Sequence, residues 1–127
     1  MSEPLPEVVD VDDSDDLYRR IAPAHVNPDG TVNSGAYKYG GKFASSISVD
    51  LARLTTPEDT LRYRPTFGLG SLEARVPRGL GLTVRHAPGN DLSAHCLIEG
   101  QTTKAICRQL AESTTLIVAP DPSRVIP

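Results

Sequence analysis

The stretch Leu80-Gly81-Leu82-Thr83-Val84-Arg85-His86, followed after Ala-Pro-Gly-Asn-Asp-Leu-Ser by Ala94-His95-Cys96-Leu97-Ile98-Glu99-Gly100, decides the fold class. Each run alternates residue by residue, as a half-buried strand does when successive side chains leave opposite faces. The intervening cluster of turn formers makes the pair an antiparallel hairpin with a long loop. Setting Leu82 opposite Ile98 and Val84 opposite Cys96 gathers the apolar residues on one face. That register places His86 across from Ala94 and His95 across from Arg85, on opposite faces of the hairpin. A one-residue slip would turn every side chain over, so burial opposes it. Both histidines are therefore expected to be structural, and Glu99 is expected to pair diagonally with Arg85.

Working outward, a chain of 127 residues supports one domain. Aromatic residues are few (Phe43, Phe67, four tyrosines and no tryptophan), which requires an aliphatic core. No long apolar run or leader-like N-terminus is present, so the expectation is a cytoplasmic protein without a membrane span. Cys96 and Cys107 are too few for a disulfide framework and read as reduced, packed thiols.

Charge is divided sharply along the chain. Residues 1–16 hold seven acids and no base, whereas the remainder has thirteen bases against nine acids. With Pro4 and Pro6, the acidic run is expected to be a disordered tail. Its Asp10, Asp12 and Ser14 do not extend to the glycine and glutamate of a calcium loop.

Beyond this tail, residues 17–119 read as an α+β domain, and residues 120–127 as a proline-rich C-terminal tail. Leu17 to Ala22 is the first strand. Asn27-Pro28-Asp29-Gly30 and Asn33-Ser34-Gly35 are turns, and His25 lies in the loop before them. Gly40-Gly41 bends the chain into a strand from Lys42 to Val49. Phe43, Ser45, Ile47 and Val49 share one side of that strand. Ala44, Ser46, Ser48 and Asp50 share the other, which is small and polar enough to line a shallow cleft or to meet solvent. Thr56-Pro57-Glu58-Asp59 carries a cap, a first-turn proline and first-turn acids, predicting a helix from Pro57 to about Tyr63. Phe67 to Val76 mixes strand and helix character. Thr102 or Thr103 caps a second helix through Glu112, and Thr114 to Ala119 is a last strand. The sum is a mostly antiparallel sheet of about five to seven strands with two short helices on one face.

Motifs of chemistry are sparse. The glycine pair fits neither a dinucleotide fingerprint nor a phosphate loop. A zinc site would need His86, His95 and Cys96 on one side, which the alternation forbids, so no metal is expected. Nucleic acid is disfavoured because Glu58, Asp59 and Glu73 interrupt the arginine-rich stretch. Tyr37 and Tyr39, with Arg85 and His95, are instead expected to form a binding surface. These residues suit a small non-catalytic interaction or accessory module, meeting a protein partner or a second copy of itself without a cofactor.

One further order of residues bears on activity. An arginine on the first strand (Arg19 or Arg20), the serine-rich Phe43-Ala44-Ser45-Ser46-Ile47-Ser48, and a later strand glutamate, Glu99, succeed one another. This resembles the Arg…Ser-x-Ser…Glu arrangement of ADP-ribosyltransferase-like folds. The resemblance implies NAD as co-substrate, with Arg19 and Ser46 holding the dinucleotide and Glu99 orienting the attacked ribose. Leu97 stands where that family carries a second acidic or glutamine residue.

Overall fold

A computed structural model describes residues 7–39, 41–89 and 92–127. It is an α+β domain built on a six-stranded, wholly antiparallel sheet. The strands are β1 (Asp16–Ile21), β4 (Ser46–Leu51), β5 (Gly68–Glu73), β6 (Thr83–His86), β7 (His95–Glu99) and β8 (Thr115–Val118), in the order β6-β7-β4-β1-β5-β8. A separate hairpin joins β2 (Lys38–Tyr39) to β3 (Lys42–Phe43). Among the described residues there are three short α-helices: α1 (Pro57–Leu61), α2 (Arg75–Gly79) and α3 (Lys104–Glu112).

One face of the sheet carries the main core. Leu17, Ile21, Ile47, Val49, Leu51, Leu72, Val84, Cys96 and Ile98 are buried there. The 3-10 turn Ser34–Tyr37 and α3 pack against each other over this layer. Thr103 caps α3 by accepting the Ile106 amide at 3.2 Å. The buried stripe of α3 is Cys107, Leu110 and Ala111, while Ile106 is only half-buried. Each fully buried aliphatic side chain contributes about 1.5–3 kcal/mol, so this layer dominates the stability. Close approach also demands Gly70, because a Cβ there would stand 2.5 Å from the Thr114 methyl.

The helices do not share a face. Helix α1 lies over β1 and β5 on the opposite side, where Leu61 and Leu69 are buried. Its start follows the local sequence: the Thr56 hydroxyl accepts the Asp59 amide at 3.1 Å and Pro57 opens the first turn. Helix α2 begins at the end of the ambiguous stretch and runs through Pro77 to Gly79, where the sequence predicts no helix, and Gly81 at φ +88 then turns the chain into β6.

The hairpin keeps its expected faces in a different register. Val84 stands opposite Ile98 and His86 opposite Cys96, two residues away from the alignment drawn from the sequence. A two-residue slip leaves every side chain on its own face, so alternation alone does not choose between these registers. The loop chooses. The Ala87 amide donates to the His95 carbonyl at 2.8 Å, closing the ladder before a short bridge between Gly89 and Leu92.

Much of the acidic stretch lies on the body, contrary to a free tail. Its first six residues are outside the described part. Residues 7–15 run beside α2 and β6, with Val11 buried and the Val9 amide donating to His86 Nδ1 at 3.0 Å. Arg78 donates to the Asp13 carboxylate at 2.8 Å and the Val11 carbonyl at 2.7 Å. Arg53 donates to the Asp15 carboxylate at 3.0 Å and the Asp10 carbonyl at 2.7 Å. Asp13 and Asp15 therefore find their cations within the chain. At the other end, Arg124 hydrogen-bonds the carbonyls of Pro65, Phe67 and Ala119.

Candidate functional site

Strands β1 and β4 pair only at Leu17–Leu51 and Tyr18–Asp50, then separate. Arg19 fills the split. Its guanidinium donates to the Ala36 carbonyl at 3.0 Å and to the Ser48 carbonyl at 2.9 Å. The rings of Tyr37 and Tyr39 lie 5.9 and 5.4 Å from it, within cation–π range.

Beside the split, on the α1 side of the sheet, a cleft of about 400 Å³ opens. Strand β1 contributes Arg20, β4 contributes Ser48 and Asp50, and β7 contributes His95. Helix α1 and the residues after it contribute Thr60 and Arg62. A second recess shares Arg19, Arg20, Tyr63 and Leu92 and adds Arg64. The volume lies within the range of small-molecule sites.

The polar side chains are held in defined positions. Thr60 donates its hydroxyl to Asp50 Oδ2 at 2.8 Å, while its carbonyl accepts from Arg20 at 3.2 Å. Arg62 pairs with Asp59 at 2.8 Å. His95 Nδ1 lies 2.9 Å from the Ala87 carbonyl, and Nε2 lies 3.2 Å from Ser48 Oγ. A carbonyl oxygen only accepts, so Nδ1 carries a proton, and in the neutral ring Nε2 is the acceptor facing the Ser48 hydroxyl.

The expected binding residues are scattered by the fold. Tyr37 is fully buried, with its hydroxyl 2.6 Å from that of Thr114. Burial removes it from any binding surface and pushes its phenol up to about 12. Tyr39 is half-exposed, and its hydroxyl accepts the Ser48 amide at 3.2 Å. Arg85 is exposed and pairs with Glu99 at 2.6 Å, the diagonal pair expected from the sequence. Of the four, His95 alone lines the cleft.

The Arg19, Ser46 and Glu99 constellation is not assembled there either. Ser46 and Glu99 face each other across β4 and β7, but neither lines the cleft, and Glu99 is engaged by Arg85. The same three strands deliver Arg20, Ser48 and His95 instead. Ser48 and Asp50 belong to the polar side of the serine-rich strand, which the alternation left to a cleft or to solvent. The pairing of Ser48 with His95 had no local signal, since the two residues are 47 positions apart.

Neither cysteine is a nucleophile candidate. Both are free and buried, and burial, followed by the charges of Asp50 and Asp15, pushes the Cys96 thiol up to about 11. Among the described residues no cluster of His, Cys, Asp and Glu could hold a metal ion. No helix among them is long and apolar enough to cross a membrane. Comparison with protein-family models, curated proteins and solved structures finds no match.

Proposed function

We propose that the protein binds a phosphate-bearing small molecule in the β1–β4–β7 cleft, with NAD as the dinucleotide to test first. The gathering of Arg20 and Arg62 around one cleft, with Arg19 and Arg64 beside it, carries this reading. Guanidinium groups match phosphate oxygens in geometry as well as charge. Among the described residues, the Arg20 guanidinium donates to the Thr60 carbonyl alone, which leaves further N–H donors for a ligand. The Tyr63 ring, 60 % exposed at the rim, suits a planar base. Calorimetric titration with inorganic pyrophosphate and with NAD tests the reading. Saturable binding is expected, weakened about 10-fold or more by Arg20→Gln, the usual scale for a charged hydrogen bond. Flat titrations with both compounds at millimolar concentration overturn it.

A different surface favours a second reading, an interaction or accessory module within a complex or homo-oligomer. Tyr39 and Phe43 are each 46 % exposed on the β2–β3 hairpin, beside Lys38 and Lys42. Aromatic residues ringed by polar groups suit a protein partner. Light scattering across a concentration series, with Phe43→Ser as the comparison, separates self-association from a monomer. The two free thiols support a reducing, cytoplasmic setting.

A further inference from the structure

We propose that Ser48 is a nucleophile and His95 its general base, acting on an acyl ester of a phosphate-bearing molecule. The phosphate part of this substrate rests on the cleft assignment above, whereas the nucleophile rests on separate geometry. His95 is held at both ring nitrogens, by the Ala87 carbonyl at 2.9 Å and Ser48 Oγ at 3.2 Å. An oriented base within hydrogen-bond reach of a hydroxyl is the arrangement that activates serine. The carbonyl of Ala87 fixes the tautomer in which Nε2 can take a proton. Both side chains line the cleft, so the pair opens onto space for a substrate rather than onto packed core. The other hydroxyl on the polar face of β4, Ser46, makes no hydrogen bond to a histidine among the described residues and lies outside the cleft.

The chemistry balances within these groups and water. Ser48 Oγ adds to the ester carbonyl carbon while its proton passes to His95 Nε2. Collapse of the tetrahedral adduct breaks the bond to the alkoxide, which takes that proton as it leaves. Water then attacks the acyl-serine, giving a proton to Nε2. Expulsion of Ser48 Oγ releases the carboxylic acid and returns that proton to the serine. Arg20 lines the same cleft, and a guanidinium there favours the negative charge that develops in the adduct.

The test uses the whole protein with 4-nitrophenyl acetate, followed by peptide mapping, alongside pyrophosphate calorimetry on the same preparation. Acetylation at Ser48 is expected, with an initial release of nitrophenolate. His95→Gln should slow both by about 100-fold or more, the lower range for general base catalysis. Ser46→Ala should acylate at the wild-type rate, and thermal melts establish that both variants are folded. Acetyl groups on lysines alone, on Ser46 or nowhere overturn the nucleophile, as does a His95→Gln protein that labels Ser48 at full rate. The mapping of the unsubstituted protein decides the matter even if a variant fails to fold. Pyrophosphate binding without Ser48 acylation removes the nucleophile and leaves the ligand assignment; acylation without pyrophosphate binding does the reverse.

Discussion

The backbone amide of Val9 donates to Nδ1 of His86, 77 positions away in the chain, at 3.0 Å. The same ring contacts the Ser93 carbonyl through Nε2 at 2.7 Å, so His86 ties the N-terminal segment to the loop of the β6–β7 hairpin. Neutral imidazole performs both tasks, accepting at one nitrogen and donating at the other. His86 is thus structural, as the alternation of its strand predicts, although half of its task lies in a segment read from the sequence as a tail.

That contact makes the N-terminal segment part of the folded domain. Deleting residues 1–11 removes the buried Val11 side chain, its carbonyl acceptor for Arg78 and the donor to His86. The expected loss is about 2–4 kcal/mol, from one buried valine and hydrogen bonds to a charged and a buried group. Urea denaturation of the truncated and full-length chains measures it. A loss below about 0.5 kcal/mol, the scale of an ordinary surface change, contradicts the packing described for this arm.

Tyr37 predicts an alkaline limit to stability. Its phenol is pushed up to about 12 by burial, against an ordinary value of 10.0. A group raised on folding stabilises the fold while protonated in both states. Its contribution is complete below pH 10, falls as pH rises through the window to about 12, and is lost above it. The total is about 2–3 kcal/mol, from the free energy equivalent of the shift. Tyr37→Phe should have a shallower alkaline loss than the parent, although it starts lower for want of the Thr114 hydrogen bond. Identical pH slopes between 10 and 12 would falsify this account of Tyr37.

Cys96 should resist thiol reagents until the fold opens. With its thiol near 11 instead of 9.0, the thiolate population at mildly alkaline pH falls about 100-fold relative to the open chain. Burial then blocks the reagent as well. Labelling with a chromogenic disulfide reagent at pH 8 should therefore be slow in buffer and rapid in urea. Rapid labelling at Cys96 in buffer would show that the β4–β7 layer opens readily.

Local patterns in the sequence determined which faces the residues of β6 and β7 take and where α1 and α3 begin. Val84, Cys96 and Ile98 point into the core because two-residue periodicity is a property of extended backbone, whatever the neighbouring strand. Thr56 and Thr103 cap their helices through amides three residues away, and such signals lie wholly within a short window. The resemblance to an Arg…Ser…Glu constellation named Ser46 and Glu99, whereas the cleft is lined by Ser48 and His95 of the same two strands. Only the tertiary structure decided the hairpin register, the separation of β1 from β4 around Arg19, and the meeting of Ser48 with His95. The physical reason is common to all three. Moving a strand by two residues preserves its inward and outward faces, so the hydrophobic pattern is indifferent to the shift. Where a side chain lies along its neighbour's length, and hence which serine meets which histidine, is decided by loop closure and by contacts with distant parts of the chain.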